Sequence, residues 1–153
     1  MTNEQWENLV SIVGGNIPAS PAVGFIIDSP WLPNWAGISI LDYFTDGRLW
    51  FEANLKAVEQ FGDIMFLPGF WSEFGMCTEP SAFGCKCIWP ENEFPMAEKL
   101  ITDLDQIDSL KNPDPRVSGL CPFVIKRLKQ FQPEIEDKDH AIKFAVSRGP
   151  LNL

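Results

Sequence analysis

The sequence predicts an α/β protein with parallel strands. Short apolar runs at residues 22–27, 64–67 and 141–146 are bounded by polar, glycine or proline residues, as buried strands are. Segments with helical periodicity lie between these runs, and one of them passes directly into a strand. Because parallel neighbours need a crossover connection, usually a helix, this order favours parallel pairing.

The first segment predicts an amphipathic helix at residues 3–13. Trp6, Leu9 and Val13 recur at helical spacing, and Gly14 follows to end the helix. We expect residues 1–20 to form a helical cover over one end of the core. Residues 21–153 would then form the main domain.

A second helix at residues 46–61 gives the strongest architectural signal. Its apolar positions fall near one face, and Gly62 is the predicted C-terminal cap. The strand 64–67 follows at once, so the segment is an α-to-β unit. Further along, we expect a strand at residues 86–89, a helical turn at 97–101, an acidic turn at 103–110 and a helix at 122–131.

Two loops that follow predicted strands contain most of the candidate binding residues. The first, at residues 29–37, follows Asp28 and contains Trp31 and Trp35. The second begins at Pro68 and extends to about residue 95; its aromatic residues argue for an ordered, pocket-forming loop. In parallel α/β proteins ligands bind at the carboxyl ends of strands, which is where these loops begin. The alternative is that the tryptophans simply cap the core.

Three polar residues stand out at the same strand ends. Glu73 lies between Trp71 and Phe74, so partial loss of solvent would raise its pKa and suit it to acid or base chemistry. Capping of a turn, or pairing with a surface lysine, explains it equally well. Arg148 follows the last predicted strand and suits either a substrate carboxylate or a backbone carbonyl. Asp28 ends the first predicted strand.

Composition excludes several classes of function. The net charge of −9 disfavours nucleic acid and anionic membranes, and the basic cluster Lys126, Arg127 and Lys129 is interpreted as a solvated helix face. The N-terminal sequence has no secretory pattern, and no apolar run approaches the roughly 20 residues of a membrane span. Four cysteines without a secretory signal favour a cytoplasmic location.

Metal and triad chemistry find little support. Cys77, Cys85 and Cys87 follow the spacing C-x7-C-x-C, which differs from the C-x2-C of structural zinc sites. The single histidine, His140, lies in a charged segment and is interpreted as a surface residue. We predict no metal site, with a small zinc-binding module built on the three cysteines as an alternative.

Three passages together resemble the uroporphyrinogen decarboxylase superfamily. They are EANLKAVEQFGDIMFLPGFWSEFG, LITDLDQIDSLKNPDPR and AVSRGPLNL. The superfamily includes the decarboxylase of haem synthesis and corrinoid-dependent methyltransferases, all built on a (β/α)8 barrel. The resemblance runs from about residue 21 onward and covers the first part of such a barrel, so it implies a partial TIM-type barrel.

The resemblance also implies a chemistry for the complete protein. This is either decarboxylation of a porphyrinogen, which requires no cofactor, or methyl transfer that uses a corrinoid and zinc. The implied partner is a tetrapyrrole, a corrinoid-type small molecule or a corrinoid protein. Residues 24–37 contain no arginine where the decarboxylase has its arginine-rich motif, and Pro68 stands where its catalytic aspartate would follow the strand. No catalytic residue is assigned.

The implied pocket has its mouth between the loops 28–37 and 69–87. Trp31, Trp35 and Trp71 would supply flat apolar walls, with Asp28, Glu73 and Arg148 as polar contacts. A barrel needs eight strands and at least about 200 residues, more than this sequence offers. We therefore expect a truncated product or, as an alternative, a non-catalytic half domain that associates with a partner, for example as a homo-oligomer.

Overall fold

A computed structural model of the chain describes residues 1–27 and 30–147. Two predicted polar contacts, Asp28 and Arg148, therefore lie outside the described residues. The described part contains, in order, α1 (Asn3–Val13), β1 (Val23–Ile26), α2 (Trp31–Ala36), α3 (Ile40–Thr45), α4 (Gly47–Gln60), β2 (Ile64–Leu67), α5 (Thr78–Ala82), β3 (Cys87–Ile88), β4 (Met96–Ala97), a 3-10 helix (Leu104–Ser109) and α6 (Cys121–Asp137).

The central feature is the parallel pair of β1 and β2. Val23 pairs with Ile64 and Ile26 with Leu67, and the helices α2, α3 and α4 form the crossover between the strands. This confirms an α/β protein with parallel pairing. A second sheet in the described part is a short antiparallel pair of β3 and β4, in which Cys87 lies opposite Ala97.

Local capping explains where α4 lies. The Asp46 carboxylate accepts hydrogen bonds from the backbone N–H groups of Arg48 at 2.7 Å and Leu49 at 3.1 Å, which fixes the first turn. The helix ends at Gln60, and the N–H of the next residue, Phe61, donates to the carbonyl of Ala57. Gly62 does not adopt the left-handed conformation of a glycine cap, so that prediction is wrong.

An aromatic core joins α4, α6 and the loop after β2. The Trp50 side chain is fully buried, and its ring centroid lies 6.2 Å from Phe70 and 5.7 Å from Phe131. Phe51 stacks on Phe131 at 5.2 Å. We call this set, together with the buried Phe44, the aromatic core. It holds α4, α6 and the loop after β2 together.

Several predicted elements differ in the structure. The segment after Asp28 contains a helix, α2, because Asn34 donates to the carbonyl of Pro30 and Gly37 ends the turn at φ +77°. The helical turn predicted at residues 97–101 is wrong: Ala97 belongs to β4, which pairs with β3, and residues 98–101 are not helical. Helix α6 begins beside Pro122 as expected but continues past residue 131 to Asp137 and includes Pro133.

The predicted strand at residues 141–146 is absent from the described sheets. The backbone N–H of Ala141 donates to the carbonyl of Met1, so this bond goes to the first residue of the chain and not to a strand. Phe144 then packs against Trp6 of α1, with ring centroids 6.1 Å apart. The apolar run at residues 141–146 therefore packs against α1 instead of forming a strand.

Candidate functional site

The two predicted loops do leave the same edge of the parallel pair. Since β1 and β2 run parallel and in register, Ile26 and Leu67 both lie at their carboxyl ends. The chain continues from β1 into α2, and from β2 into the loop that contains Trp71 and Glu73. This edge is the expected location for a ligand in a parallel α/β protein.

The first loop brings Trp31 and Trp35 together. They lie one helical turn apart in α2, so their rings stack at 5.3 Å with an interplanar angle of 16°. Trp35 also contacts Phe61 at 5.8 Å, and the ammonium of Lys56 lies 4.8 Å from its ring centroid. These contacts fix Trp35 against α4, while Trp31 stays 42% exposed.

A cleft of about 370 Å³ opens beside this stack and runs along the sheet. We call it the tryptophan cleft. Its described lining residues are all apolar: Phe25, Ile26, Ile27, Trp31, Phe61, Ile64 and Phe66. Such a surface favours a flat, uncharged face of a ligand.

The second loop is ordered, as predicted. The indole N–H of Trp50 donates to the carbonyl of Trp71 at 2.9 Å, and the backbone N–H of Phe74 donates to the Thr78 hydroxyl at 2.8 Å. The N–H of Met76 donates to the carbonyl of Pro95 at 3.0 Å. The first bond ties the start of the loop to α4, and the other two join residues within the loop.

Trp71 and Glu73 do not join the tryptophan cleft, since neither is among its described lining residues. Glu73 is only 5% exposed, in agreement with its predicted removal from solvent. The indole N–H of Trp71 is buried and has no hydrogen-bond partner among the described residues. The three tryptophans predicted to line one pocket are therefore separated: Trp31 and Trp35 lie together, and Trp71 lies beside α4. Their roles in binding stay predictions.

A residue that the sequence analysis placed on a solvated face is buried. Arg127 is 7% exposed, and its guanidinium donates through Nη2 to the carbonyl of Phe44. It lies 4.8 Å from the ring centroid of Phe74 and 5.5 Å from that of Trp50. Burial lowers the pKa of Arg127. The available signal was its position four residues from Phe123 and four from Phe131, on the apolar stripe of α6.

The cysteines are free thiols, and two of them are buried. Burial, followed by the hydrogen bond with Cys87, raises the pKa of Cys77 to about 12, so it stays protonated. Burial also raises the pKa values of Cys85 and Cys121. Residues 1–27 and 30–147 contain no group of three or more histidine, cysteine or acidic side chains placed to hold a metal ion.

His140 is half-buried, so the prediction of a surface histidine is wrong. Its ring lies 6.0 Å from that of Phe70, and Nδ1 is buried without a hydrogen-bond partner in the described part of the chain. Burial and the nearby amino terminus lower the pKa of His140. The sequence signal was misleading because the charged neighbours Asp137, Lys138 and Asp139 point to a solvated segment.

The fold and this edge define the class of protein: a parallel α/β protein with an apolar cleft of ligand size along its strands. No helix in the described ranges is long and apolar enough to cross a membrane. The family model for uroporphyrinogen decarboxylase (URO-D) matches residues 34–153. The chain therefore belongs to the URO-D family, whose fold is a TIM barrel. No curated protein matches the sequence.

Proposed function

We propose that this chain forms the first part of a URO-D-type barrel whose complete form acts on a tetrapyrrole. The single observation that supports this most directly is the tryptophan cleft. A tetrapyrrole presents a broad, flat, largely apolar face, and the exposed ring of Trp31 with the apolar residues beside β1 offers a matching surface. Family membership supports the same ligand class.

Between the two reactions of the family, the composition of the cleft favours methyl transfer from a corrinoid. Porphyrinogens carry several carboxylates, and their recognition needs cations in the site. The described lining of the tryptophan cleft has no cation, and residues 24–37 contain no arginine. A corrinoid, whose peripheral groups are mostly neutral amides, does not impose this requirement.

The described residues suit one face of a corrinoid ring, but they do not provide a set of ligands for zinc. When bound, a corrinoid supplies the methyl group. This chain's own residues would hold one face of the ring. Trp31 would contact that face with its exposed side chain, and stacking on Trp35 would fix the orientation of the Trp31 ring. Because the described residues contain no group of three potential ligands, no step is assigned to zinc here.

Ligand binding can be tested by titrating the purified chain with cobalamin and, separately, with uroporphyrinogen, following tryptophan emission. We expect saturable quenching by cobalamin, with free tryptophan correcting for absorbed light. Trp31→Ala should weaken binding about two- to tenfold, because one aromatic contact is lost. Trp6→Ala, which lies away from the cleft on α1, is the matched control. Absence of quenching at any cobalamin concentration would contradict the proposal, and tighter binding of uroporphyrinogen would favour decarboxylation.

A second candidate is the non-catalytic half domain that associates with a partner. The exposure of β1 favours it, because Val23, Phe25 and Ile26 are 48%, 55% and 69% exposed. Apolar strand residues left open in this way are typical of an interaction surface. Sedimentation velocity over a range of concentrations tests this candidate: a dimer or larger species supports it, and a folded monomer throughout argues against it.

A further inference from the structure

A second cleft is lined in part by Phe44 and Phe131 of the aromatic core and shares no lining residue with the tryptophan cleft. We call it the arginine cleft. It has a volume of about 550 Å³ and lies between α3, the start of α4 and α6. Its walls are largely aromatic and include Phe44, Phe74, Trp89 and Phe123. It is therefore suited to a ligand with a flat apolar body.

Arg127 gives this cleft its chemical character. The side chain is more than nine-tenths buried, and its terminal nitrogen Nη2 donates to the carbonyl of Phe44. Nη1 is buried and has no hydrogen-bond partner among the described residues. A buried donor without an acceptor is costly by about 1–3 kcal/mol, so an oxygen that reaches it would be held firmly.

The charged residues that line the cleft, Lys126 and Arg127, are both positive. Arg127 forms no ion pair in the described part of the chain: the ion pairs found there join Arg48 to Glu134, Lys86 to Glu98 and Arg116 to Asp114. Lys126 and Gln130 lie at the rim, and none of the described lining residues is acidic. The Asp46 carboxylate is near enough to act electrostatically on Arg127, but it already accepts hydrogen bonds from the backbone N–H groups of Arg48 and Leu49 at the start of α4.

The geometry points to a binding site for a small aromatic carboxylate. The carboxylate would accept hydrogen bonds from the Arg127 guanidinium, which remains charged at neutral pH, and the ring would lie between Phe74, Trp89 and Phe123. Lys126 would contribute a further positive charge at the rim. This site is independent of the tetrapyrrole proposal, because the two clefts use different residues.

Isothermal titration with 2-naphthoate tests the site, and the neutral isostere 2-naphthamide supplies the comparison. We expect 2-naphthoate to bind at least about tenfold more tightly than the amide, because a charge-assisted hydrogen bond is stronger than a neutral one. Arg127→Met should weaken binding of 2-naphthoate by at least about tenfold. Arg116→Met, an exposed arginine outside this cleft, is the matched control and should leave binding unchanged.

A second variant keeps the test informative if Arg127→Met does not fold. Phe123 is 57% exposed, so Phe123→Ala should fold while it removes one aromatic wall and weakens 2-naphthoate severalfold. Equal affinity for naphthoate and naphthamide in the unaltered protein would overturn the proposal. So would the absence of any binding at millimolar 2-naphthoate, or an unchanged affinity in a folded Arg127→Met protein.

Discussion

The aromatic core and β1 are both apolar, but the side chains of the core are buried and those of β1 are exposed. Around Trp50 the helices α4 and α6 and the loop after β2 meet, and Trp50, Phe44 and Phe131 are at most 1% exposed. In β1 every residue is exposed, although its partner β2 has two buried residues. The difference lies in what covers each region: two helices and a loop cover the core, whereas the described residues leave the side chains of β1 exposed.

This contrast separates what holds the described chain together from what it offers to other molecules. Burial of apolar area stabilises only the surface that is covered, at about 25 cal/mol per Å². The aromatic core therefore supplies folding stability, whereas the exposed side chains of β1 contribute little in the isolated chain. The three variants below test this division, in order of the size of their effect on the free energy of unfolding.

Trp50→Ala should have the largest effect. It removes a fully buried indole from contact with Phe70 and Phe131 and leaves the carbonyl of Trp71 without its donor. We expect a loss of about 3–5 kcal/mol in the free energy of unfolding. Urea unfolding followed by circular dichroism measures this loss, since tryptophan emission would change with the substitution itself. A loss below about 1 kcal/mol would show that the aromatic core is not the main source of stability.

Gly75→Ala should have an intermediate effect. Gly75 adopts φ +58°, and a methyl group there would lie 2.8 Å from the carbonyl oxygen of Pro95, near the end of the same loop. Gly84→Ala is the matched control, because Gly84 also has positive φ, at +97°, but has open space around it. We expect Gly75→Ala to cost at least about 1 kcal/mol more than Gly84→Ala in the same urea experiment. Equal losses would mean that the loop yields to the added methyl group.

Ile26→Lys should have the smallest effect on folding. Ile26 is 69% exposed, so we expect the free energy of unfolding to change by no more than about 0.5 kcal/mol. Any self-association of the unaltered chain should weaken, because the substitution places a charge on an exposed apolar strand. Sedimentation velocity measures the association, and Lys111→Met, at an exposed position outside the tryptophan cleft, is the control. A large loss of stability would mean that β1 is part of the core.

The sequence predicted the elements whose patterns are local. The periodicity of residues 3–13 and 46–61, the apolar run 64–67 and Pro122 at the start of α6 correspond to elements in the structure. Each of these signals depends on residues close together in the chain, as capping and amphipathic periodicity do. The strand at 141–146 failed because its surroundings decide its state: Ala141 bonds to Met1, which no local pattern reveals.

The candidate site was predictable in part for the same reason. Trp31 and Trp35 stand one helical turn apart, so their stacking follows once α2 forms. The burial of Arg127 was not predicted, because its charge and its basic neighbours indicate a solvated face. Its position on the apolar stripe of α6 indicates the buried side of the helix. The separation of Trp71 from the tryptophan cleft depends on the bond to Trp50, which lies 21 residues away in sequence. Long-range contacts of this kind leave no mark on local spacing.

The way in which α1 is attached predicts where a protease would first cut the chain. No residue of α1 is buried, and the Gln5 side chain, which donates to the carbonyl of Gly62 at 2.9 Å, joins it to the α4–β2 turn. The segment that follows, residues 13–22, is exposed except for partial burial at Pro18. A protease should therefore cut there first. The two pieces would remain associated after the cut, since Met1 is 1% exposed and its carbonyl is bonded to Ala141.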